Sequence, residues 1–320
     1  MSTWTAADVP DQSGRIVVVT GANSGLGLEA TRTLADAGAT VVMACRSVAR
    51  GETAAESIRE TAPGAALDVR ECDLADLSSV AAFARGVVDD YECVDVLCNN
   101  AGVMAIPRSE TADGFETQFG VNHLGHFALT GQLLGALRAA DGEARVVTQS
   151  SGLHENGRLD FDDLHGESDY DKWDAYGQSK LANLLFAYEL DRRLDDAGID
   201  HVTSVGCHPG YADTNLQYRG PEATGSWVRL AAMRVANAVL AQSAAKGALP
   251  MLYAATKPDV AGGTYVGPGG LLNMRGHPSV QESSDRSYDE ATADRLWEVS
   301  EDLTGVSYDF EEPVAAEEAD

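Results

Sequence analysis

Short apolar runs alternate along the chain with longer segments in which apolar residues recur every three or four positions. The runs cover residues 15–20, 40–44, 67–72, 94–98, 145–149 and 201–207, with a weaker run at 262–266. Runs that are apolar throughout are typical of parallel strands that are buried on both faces of a sheet. We therefore predict a parallel sheet of about seven strands.

The segments between these runs have the spacing of amphipathic helices. They cover residues 26–37, 48–61, 77–91, 114–140, 173–197 and 289–303. Residues 152–171 and the start of 211–245 are more polar and predict loops. Strands that alternate with helices predict one doubly wound, Rossmann-type α/β domain. We expect it to span residues 1–305, with an acidic tail over residues 306–320.

The charge balance is strongly acidic. The 320 residues include 50 acidic and 23 basic side chains, which gives a net charge of −27, and only four residues are lysines. Such a field repels nucleic acids and anionic membranes, so we expect neither as a partner. Acidity that is spread along a chain with so little lysine is typical of halophilic proteins, whose self-repulsion is screened by salt. We therefore predict a halophilic source.

Neither a membrane span nor a secretion signal is predicted. The chain has no run of about eighteen apolar residues, and its N-terminus lacks the charged and apolar order of a signal peptide. The cysteines fit no disulfide or metal framework and predict reduced thiols in a cytoplasmic protein. They are Cys45, Cys72, Cys93, Cys98 and Cys207.

A glycine-rich turn links the first predicted strand to the first helix. Gly21, Gly25 and Gly27 lie at the point where a dinucleotide pyrophosphate needs close backbone approach and the positive end of a helix. The second strand is followed by Arg46 and Ser47 and not by an acidic residue. An arginine there can pair with a 2′-phosphate, whereas an acid would bind a 2′-hydroxyl. The sequence therefore favours NADP(H), with NAD(H) as the alternative.

Tyr176 and Lys180 are four residues apart in a predicted helix, so their side chains share one face. An ammonium near a phenol stabilises the phenolate, and we expect it to lower the pKa of Tyr176. Such a tyrosine can exchange a proton with an alcohol or carbonyl oxygen.

Together these motifs resemble the short-chain dehydrogenase/reductase family over about residues 12–270. The resemblance is carried by residues 20–27, 99–102, Ser151, Tyr176 and Lys180. Shorter segments are similar to the retinol-dehydrogenase-like branch, which is related to the light-dependent protochlorophyllide reductases. These segments are residues 44–46, 121–127, 179–183 and 208–210.

The resemblance implies a role for each catalytic residue. Tyr176 would be the general acid in reduction and the general base in oxidation. Lys180 would lower its pKa and bind the nicotinamide ribose, Ser151 would polarise the substrate oxygen, and Asn122 would position a relay water. The residues that are expected at the cofactor are Gly21, Asn23, Ser24, Gly25, Leu26, Gly27, Arg46, Ser47, Asp73, Leu74, Asn100, Ala101, Gly102, Tyr176, Lys180, Pro209, Gly210 and Thr214.

Three assignments leave alternatives open. Ser150 competes with Ser151, which lies 25 residues before Tyr176, a wider gap than is common in the family. His123 and His126 are spaced to share a metal, but no third ligand is evident, so we expect none. His154 fits a surface loop histidine better than a substrate contact.

We predict an NADP(H)-dependent oxidoreductase that interconverts a small-molecule carbonyl and its alcohol. The alternatives are reduction of a C=C bond on the same fold, and a non-catalytic protein that senses nucleotides or binds other proteins. A homo-oligomer, formed through the helices near residues 115–140 and 173–197, is a family-level expectation.

Overall fold

A computed structural model of the chain describes residues 3–211 and 242–311. Its strands form one sheet in the order β3-β2-β1-β4-β5-β6-β7-β8. They are β1 (Ile16–Thr20), β2 (Thr40–Cys45), β3 (Ala66–Glu71), β4 (Val96–Asn99), β5 (Ala144–Gln149), β6 (Val202–Cys207), β7 (Tyr265–Pro268) and β8 (Pro278–Gln281). Strands β1 to β7 are parallel, and β8 is antiparallel to β7. The doubly wound α/β fold is confirmed.

The sequence pattern missed strand β8. This strand has four residues, begins with a proline and lies at the edge of the sheet. Its central apolar side chain, Val280, is 60% exposed. A strand that buries so little leaves no continuous apolar run in the sequence.

The helices cover both faces of the sheet. They are α1 (Gly25–Asp36), α2 (Val48–Arg59), α3 (Leu77–Asp90), α4 (Thr117–Phe119), α5 (Gly125–Arg138), α6 (Lys172–Asp196), α7 (Ala244–Gly247), α8 (Leu249–Thr256) and α9 (Glu290–Thr304). The helix that we predicted over residues 114–140 begins at Thr117 and contains a π-helical stretch, Gly120–Leu124, between α4 and α5. Irregular turns of this kind often occur at functional sites. Two 3₁₀ helices, Gly152–Asn156 and Asp285–Tyr288, lie close to the candidate site.

The C-terminal helix and the residues after it complete the core. Trp297 of α9 and Tyr308 pack against Phe127 of α5 and Phe186 of α6, with ring centroids 4.5 to 6.4 Å apart. The Tyr308 hydroxyl donates a 2.7 Å hydrogen bond to the carbonyl oxygen of Phe127. The first residues of the predicted tail are therefore packed on the domain, although its division at residue 305 stays a prediction.

Helix α6 is buried on all sides from Tyr176 to Leu190. Part of this burial comes from α9 of the same chain, which packs along α6. An exposed helix face is what a dimer of the expected kind would need. A homo-oligomer therefore remains a prediction, and this part of α6 is not the surface that would form it.

The sheet order reverses between β1 and β4, since the strands on one side of β1 are β2 and β3 and those on the other are β4 to β8. Ligands of open α/β sheets bind beyond the carboxyl ends of the strands at such a switch point. No helix within residues 3–211 and 242–311 is long and apolar enough to cross a membrane.

Candidate active site

A cavity of about 1130 Å³ lies beyond the carboxyl ends of the strands. Most of the predicted cofactor residues line it, namely Gly21, Asn23, Ser24, Gly25, Leu26, Gly27, Arg46, Ser47, Asp73, Leu74, Asn100, Ala101 and Gly102. Tyr176, Lys180, Pro209 and Gly210 are not among its lining residues. Thr214 lies outside the described residues. The residues that we predicted at the pyrophosphate and those that we predicted at the adenosine therefore line the same cleft.

Each glycine of the turn meets a separate steric requirement. Gly21 and Gly25 have φ angles of 66° and 56°, in the left-handed region that favours glycine. A Cβ atom on Gly27 would lie 2.4 Å from the carbonyl oxygen of Gly21 and 2.6 Å from Nδ2 of Asn100. The turn closes this tightly only because no side chain stands there.

Helix α1 begins at this turn with its first N–H groups uncapped. Ser24 occupies the N-cap position, but its side chain makes no capping hydrogen bond. The first four N–H groups of a helix need external acceptors and attract anions. The N-terminus of α1 is therefore suited to bind a pyrophosphate group.

Thr20 ties this turn to the end of β4. Its Oγ1 accepts hydrogen bonds from the backbone N–H groups of Asn100 and Ala101, both at 2.9 Å. In return, the Asn100 side chain donates a 2.7 Å hydrogen bond to the carbonyl oxygen of Thr20. These bonds hold together the two strand ends that form the switch point.

His126 links α5 to the glycine turn through both of its ring nitrogens. Its Nδ1 lies 3.0 Å from the carbonyl oxygen of Asn122, and its Nε2 lies 2.9 Å from Thr20 Oγ1. Burial lowers the pKa of His126 to about 4, so the ring is neutral, Nδ1 donates to the carbonyl and Nε2 accepts from the threonine. The neighbouring His123 pairs with Ser300 at 2.8 Å. Residues 3–211 and 242–311 hold no group of three side chains that could bind a metal ion.

Arg46 and Arg50 both line the cleft beyond the end of β2. We did not predict Arg50, which lies in the first turn of α2, four residues after Arg46. Neither guanidinium forms an ion pair with a described carboxylate. Two unpaired arginines in so acidic a chain leave positive charge available at this end of the cleft.

The two candidate serines face different partners. Ser150 donates a 2.7 Å hydrogen bond to the carbonyl oxygen of Lys180, which commits its hydroxyl to the backbone of α6. Ser151 accepts from the backbone N–H of Leu153 at 3.3 Å, and its side chain lies near Tyr176, where it lowers the pKa of the phenol. Of the two hydroxyl groups, that of Ser151 is therefore the one that acts on the phenol.

Tyr176 and Lys180 are both buried, and this changes the expected electrostatics. Burial raises the pKa of Tyr176 to about 12, and the nearby Ser151 side chain only partly opposes the rise. Burial also lowers the pKa of Lys180 to about 8. The ammonium nitrogen lies 5.8 Å from the centroid of the Tyr176 ring. The pKa of Tyr176 is thus raised by loss of hydration and not lowered as we expected, and the role of Lys180 at the phenol stays a prediction.

The side chain of Asn122 connects Val103, which follows β4, to Ser179 of α6. Its Oδ1 accepts from the Val103 N–H at 2.8 Å, while its Nδ2 donates to the Val103 carbonyl at 3.0 Å and to Ser179 Oγ at 2.9 Å. Both amide protons are thus used within the protein. A relay water at Asn122 stays a prediction, and it would have to bind an oxygen of this residue.

His154 is buried and is not a surface loop histidine. It is 2% exposed, and its Nδ1 donates a 2.7 Å hydrogen bond to the carbonyl oxygen of Ser151. Its Nε2 accepts a 3.1 Å hydrogen bond from the backbone N–H of Ser284. The ring therefore connects the segment after β8 to the backbone of the candidate serine, a contact that no local pattern predicts.

Gly210 follows β6 with a φ angle of 65°. A Cβ atom there would lie 2.5 Å from the carbonyl oxygen of Met274. Its N–H donates to Nδ1 of His208 at 3.3 Å, so the turn that carries Pro209 and Gly210 is held by the preceding side chain.

Comparison with known proteins agrees with this arrangement. Human retinol dehydrogenase 12 is 41% identical over 296 residues, which cover 92% of this chain and 88% of the relative. A crystal structure of an uncharacterized protein from Mycobacterium paratuberculosis is 44% identical with a TM-score of 0.79, and the match covers 96% of this chain and 100% of that one.

A third match carries a bound cofactor. It is described as an NAD(P)-dependent gluconate 5-dehydrogenase from Beutenbergia cavernae with NADP at low occupancy. It is 26% identical with a TM-score of 0.61, and the match covers 79% of this chain and 94% of that one. The sequence profile named "short chain dehydrogenase" matches residues 15–223 of the chain. The chain belongs to the short-chain dehydrogenase/reductase family.

Proposed function

We propose that the protein is an NADP(H)-dependent oxidoreductase that interconverts a carbonyl and an alcohol, with Tyr176 as its general acid and base. The observation that carries the proposal is a group of three side chains. The Tyr176 phenol is buried, the Lys180 nitrogen lies 5.8 Å from the centroid of its ring, and Ser151 lowers its pKa. Family membership already makes the chain an NAD(P)-dependent alcohol and carbonyl oxidoreductase. The geometry adds which residues would perform the proton transfer.

In the reductive direction, the Tyr176 hydroxyl donates its proton to the oxygen of the carbonyl substrate. Ser151 donates a hydrogen bond to the same oxygen and stabilises the negative charge that develops on it. The bound cofactor supplies the hydride for the carbonyl carbon. A tyrosine whose pKa is raised to about 12 is protonated at neutral pH, so the form that donates a proton is present.

Lys180 would hold the cofactor and support the tyrosine. One of its ammonium protons goes to the carbonyl oxygen of Gln149 at 3.0 Å. An ammonium has three donors, so two remain for the nicotinamide ribose and for a relay water. The glycine turn and the uncapped start of α1 would hold the pyrophosphate.

The preference for NADP(H) is proposed from the arginines at the adenosine end. Replacing both Arg46 and Arg50 by alanine is expected to raise the KM for NADPH about ten- to a hundredfold, because charge-assisted hydrogen bonds to a phosphate are lost. The KM for NADH should change little, since NADH has no 2′-phosphate. Steady-state kinetics with both cofactors measures the difference. An equal loss for NADPH and NADH would contradict the assignment.

The two serines provide a matched pair of variants. Ser151→Ala is expected to lower kcat about 10²- to 10³-fold, because a hydrogen bond to the developing oxyanion is lost. Ser150→Ala loses only the bond to the Lys180 backbone and should keep most of the activity. NADPH affinity, measured by fluorescence titration, should stay unchanged in both. If the two variants lose kcat equally, Ser151 has no special role.

A substrate panel tests the reaction itself. It would include retinal, because a relative is named retinol dehydrogenase, and also α,β-unsaturated carbonyls in molar salt. Product analysis by mass spectrometry and NMR distinguishes an alcohol from a reduced C=C bond. If only the C=C bond is reduced, the protein is a C=C reductase, and the proposed interconversion of carbonyl and alcohol is wrong.

A further inference from the structure

A second cavity, of about 470 Å³, lies between the segment that follows the Gly152–Asn156 helix and the start of α9. It shares no lining residue with the cofactor cleft. Three arginines line it, Arg158, Arg286 and Arg295. Their convergence is unexpected in a chain whose acidic residues outnumber its basic residues by 50 to 23.

None of the three guanidinium groups forms an ion pair with a described carboxylate. Arg286 donates to the carbonyl oxygens of Glu155 and Gly157, at 3.1 and 3.4 Å. Arg295 lies over the ring of Phe161, 4.1 Å from its centroid. Carbonyl and ring contacts position a guanidinium without neutralising its charge.

One acidic residue, Asp289, is among the residues that line the cavity. Its carboxylate accepts from the backbone N–H and the hydroxyl of Thr292, at 3.3 and 2.9 Å, and so caps α9. Three positive charges and one negative charge give the lining a net charge of +2. The cavity is therefore a local positive site on a protein whose net charge is −27.

The remaining wall is partly apolar. Leu159, Phe161 and Leu181 line it, and Leu181 is fully buried in the core beneath. A cavity of this volume is much larger than an inorganic anion needs. We propose that it binds a small organic anion, whose carboxylate pairs with the arginines while its apolar body lies against these side chains.

Octanoate serves as the probe, since it joins a carboxylate to a short apolar chain. Isothermal titration of the NADPH-bound protein at constant salt should show saturable binding, weaker binding of acetate, and weaker binding of inorganic phosphate. The double variant Arg158→Gln, Arg295→Gln should weaken octanoate binding about tenfold. Arg158 makes no hydrogen bond or ion pair within the described residues, so Arg158→Gln alone removes charge without disturbing a contact.

Arg85→Gln is the matched control, because Arg85 is exposed on α3 and lines neither cavity. It should leave octanoate affinity unchanged. The proposal is overturned if octanoate does not bind, or if the double variant binds it as tightly as the native protein. Phosphate that binds as tightly as octanoate would overturn the assignment of an organic anion.

Discussion

Replacing Tyr176 by phenylalanine is expected to lower kcat about 10²- to 10⁴-fold and to leave NADPH affinity unchanged. The variant keeps the ring but loses the hydroxyl that we propose donates a proton to the substrate oxygen. General acid catalysis by a positioned side chain contributes an effect of this size. Stopped-flow measurement of hydride transfer from NADPH separates the chemical step from product release.

Tyr188→Phe is the matched control for this substitution. Tyr188 is a buried tyrosine on the same helix, and its hydroxyl pairs with Ser283 at 2.8 Å. Its loss should affect stability more than turnover. Full activity in Tyr176→Phe would rule out the proposed mechanism, whereas equal losses in both variants would indicate a general effect of removing a buried hydroxyl.

The pH dependence of alcohol oxidation provides a second readout. In that direction Tyr176 must accept a proton, and its pKa of about 12 leaves little phenolate at neutral pH. The rate is therefore expected to rise with pH from about 7, because the phenolate fraction grows about tenfold per pH unit below the pKa. The residual rate of Tyr176→Phe should lack this rise.

The sequence predicted those parts of the fold that depend on continuous burial. Strands β1, β2, β4, β5 and β6 are mostly buried and rich in apolar residues because helices cover both of their faces, so composition alone marks them. The sequence pattern did not reveal strand β8, because this strand lies at the edge of the sheet and exposes Val280. For a related reason, helical periodicity cannot show that α9 of the same chain covers part of α6, and the homo-oligomer stays a prediction.

Within the site, the residues that carry the chemistry could be predicted from the sequence, but their burial and their long-range contacts could not. The glycine turn and the tyrosine-lysine pair are recognised by spacings of a few residues, which the sequence shows directly. The pKa of Tyr176 depends instead on how much water the folded chain excludes, and the position of His154 depends on Ser284, which is 130 residues away. Burial and long-range contacts are properties of the tertiary structure, so spacing could not supply them.

Replacing Gly27 by alanine is expected to weaken NADPH binding about ten- to a hundredfold. The new Cβ would lie 2.4 Å from the carbonyl oxygen of Gly21 and 2.6 Å from Asn100 Nδ2. Neither atom can move freely, because one is backbone and the other is held by a 2.7 Å bond to Thr20. The turn must open, at a cost of about 1–3 kcal/mol. An opened turn no longer presents its N–H groups at pyrophosphate distance.

Gly135→Ala separates this clash from the general effect of adding a methyl group to a helix. A Cβ on Gly135 of α5 meets no atom within 4 Å, and alanine favours the helix by about 1 kcal/mol over glycine. That variant should unfold at higher urea concentration and bind NADPH normally. Gly27→Ala should unfold earlier and bind NADPH weakly. If Gly27→Ala binds NADPH as tightly as Gly135→Ala does, close approach of the backbone at this turn is not what the cofactor requires, and the predicted pyrophosphate site is wrong.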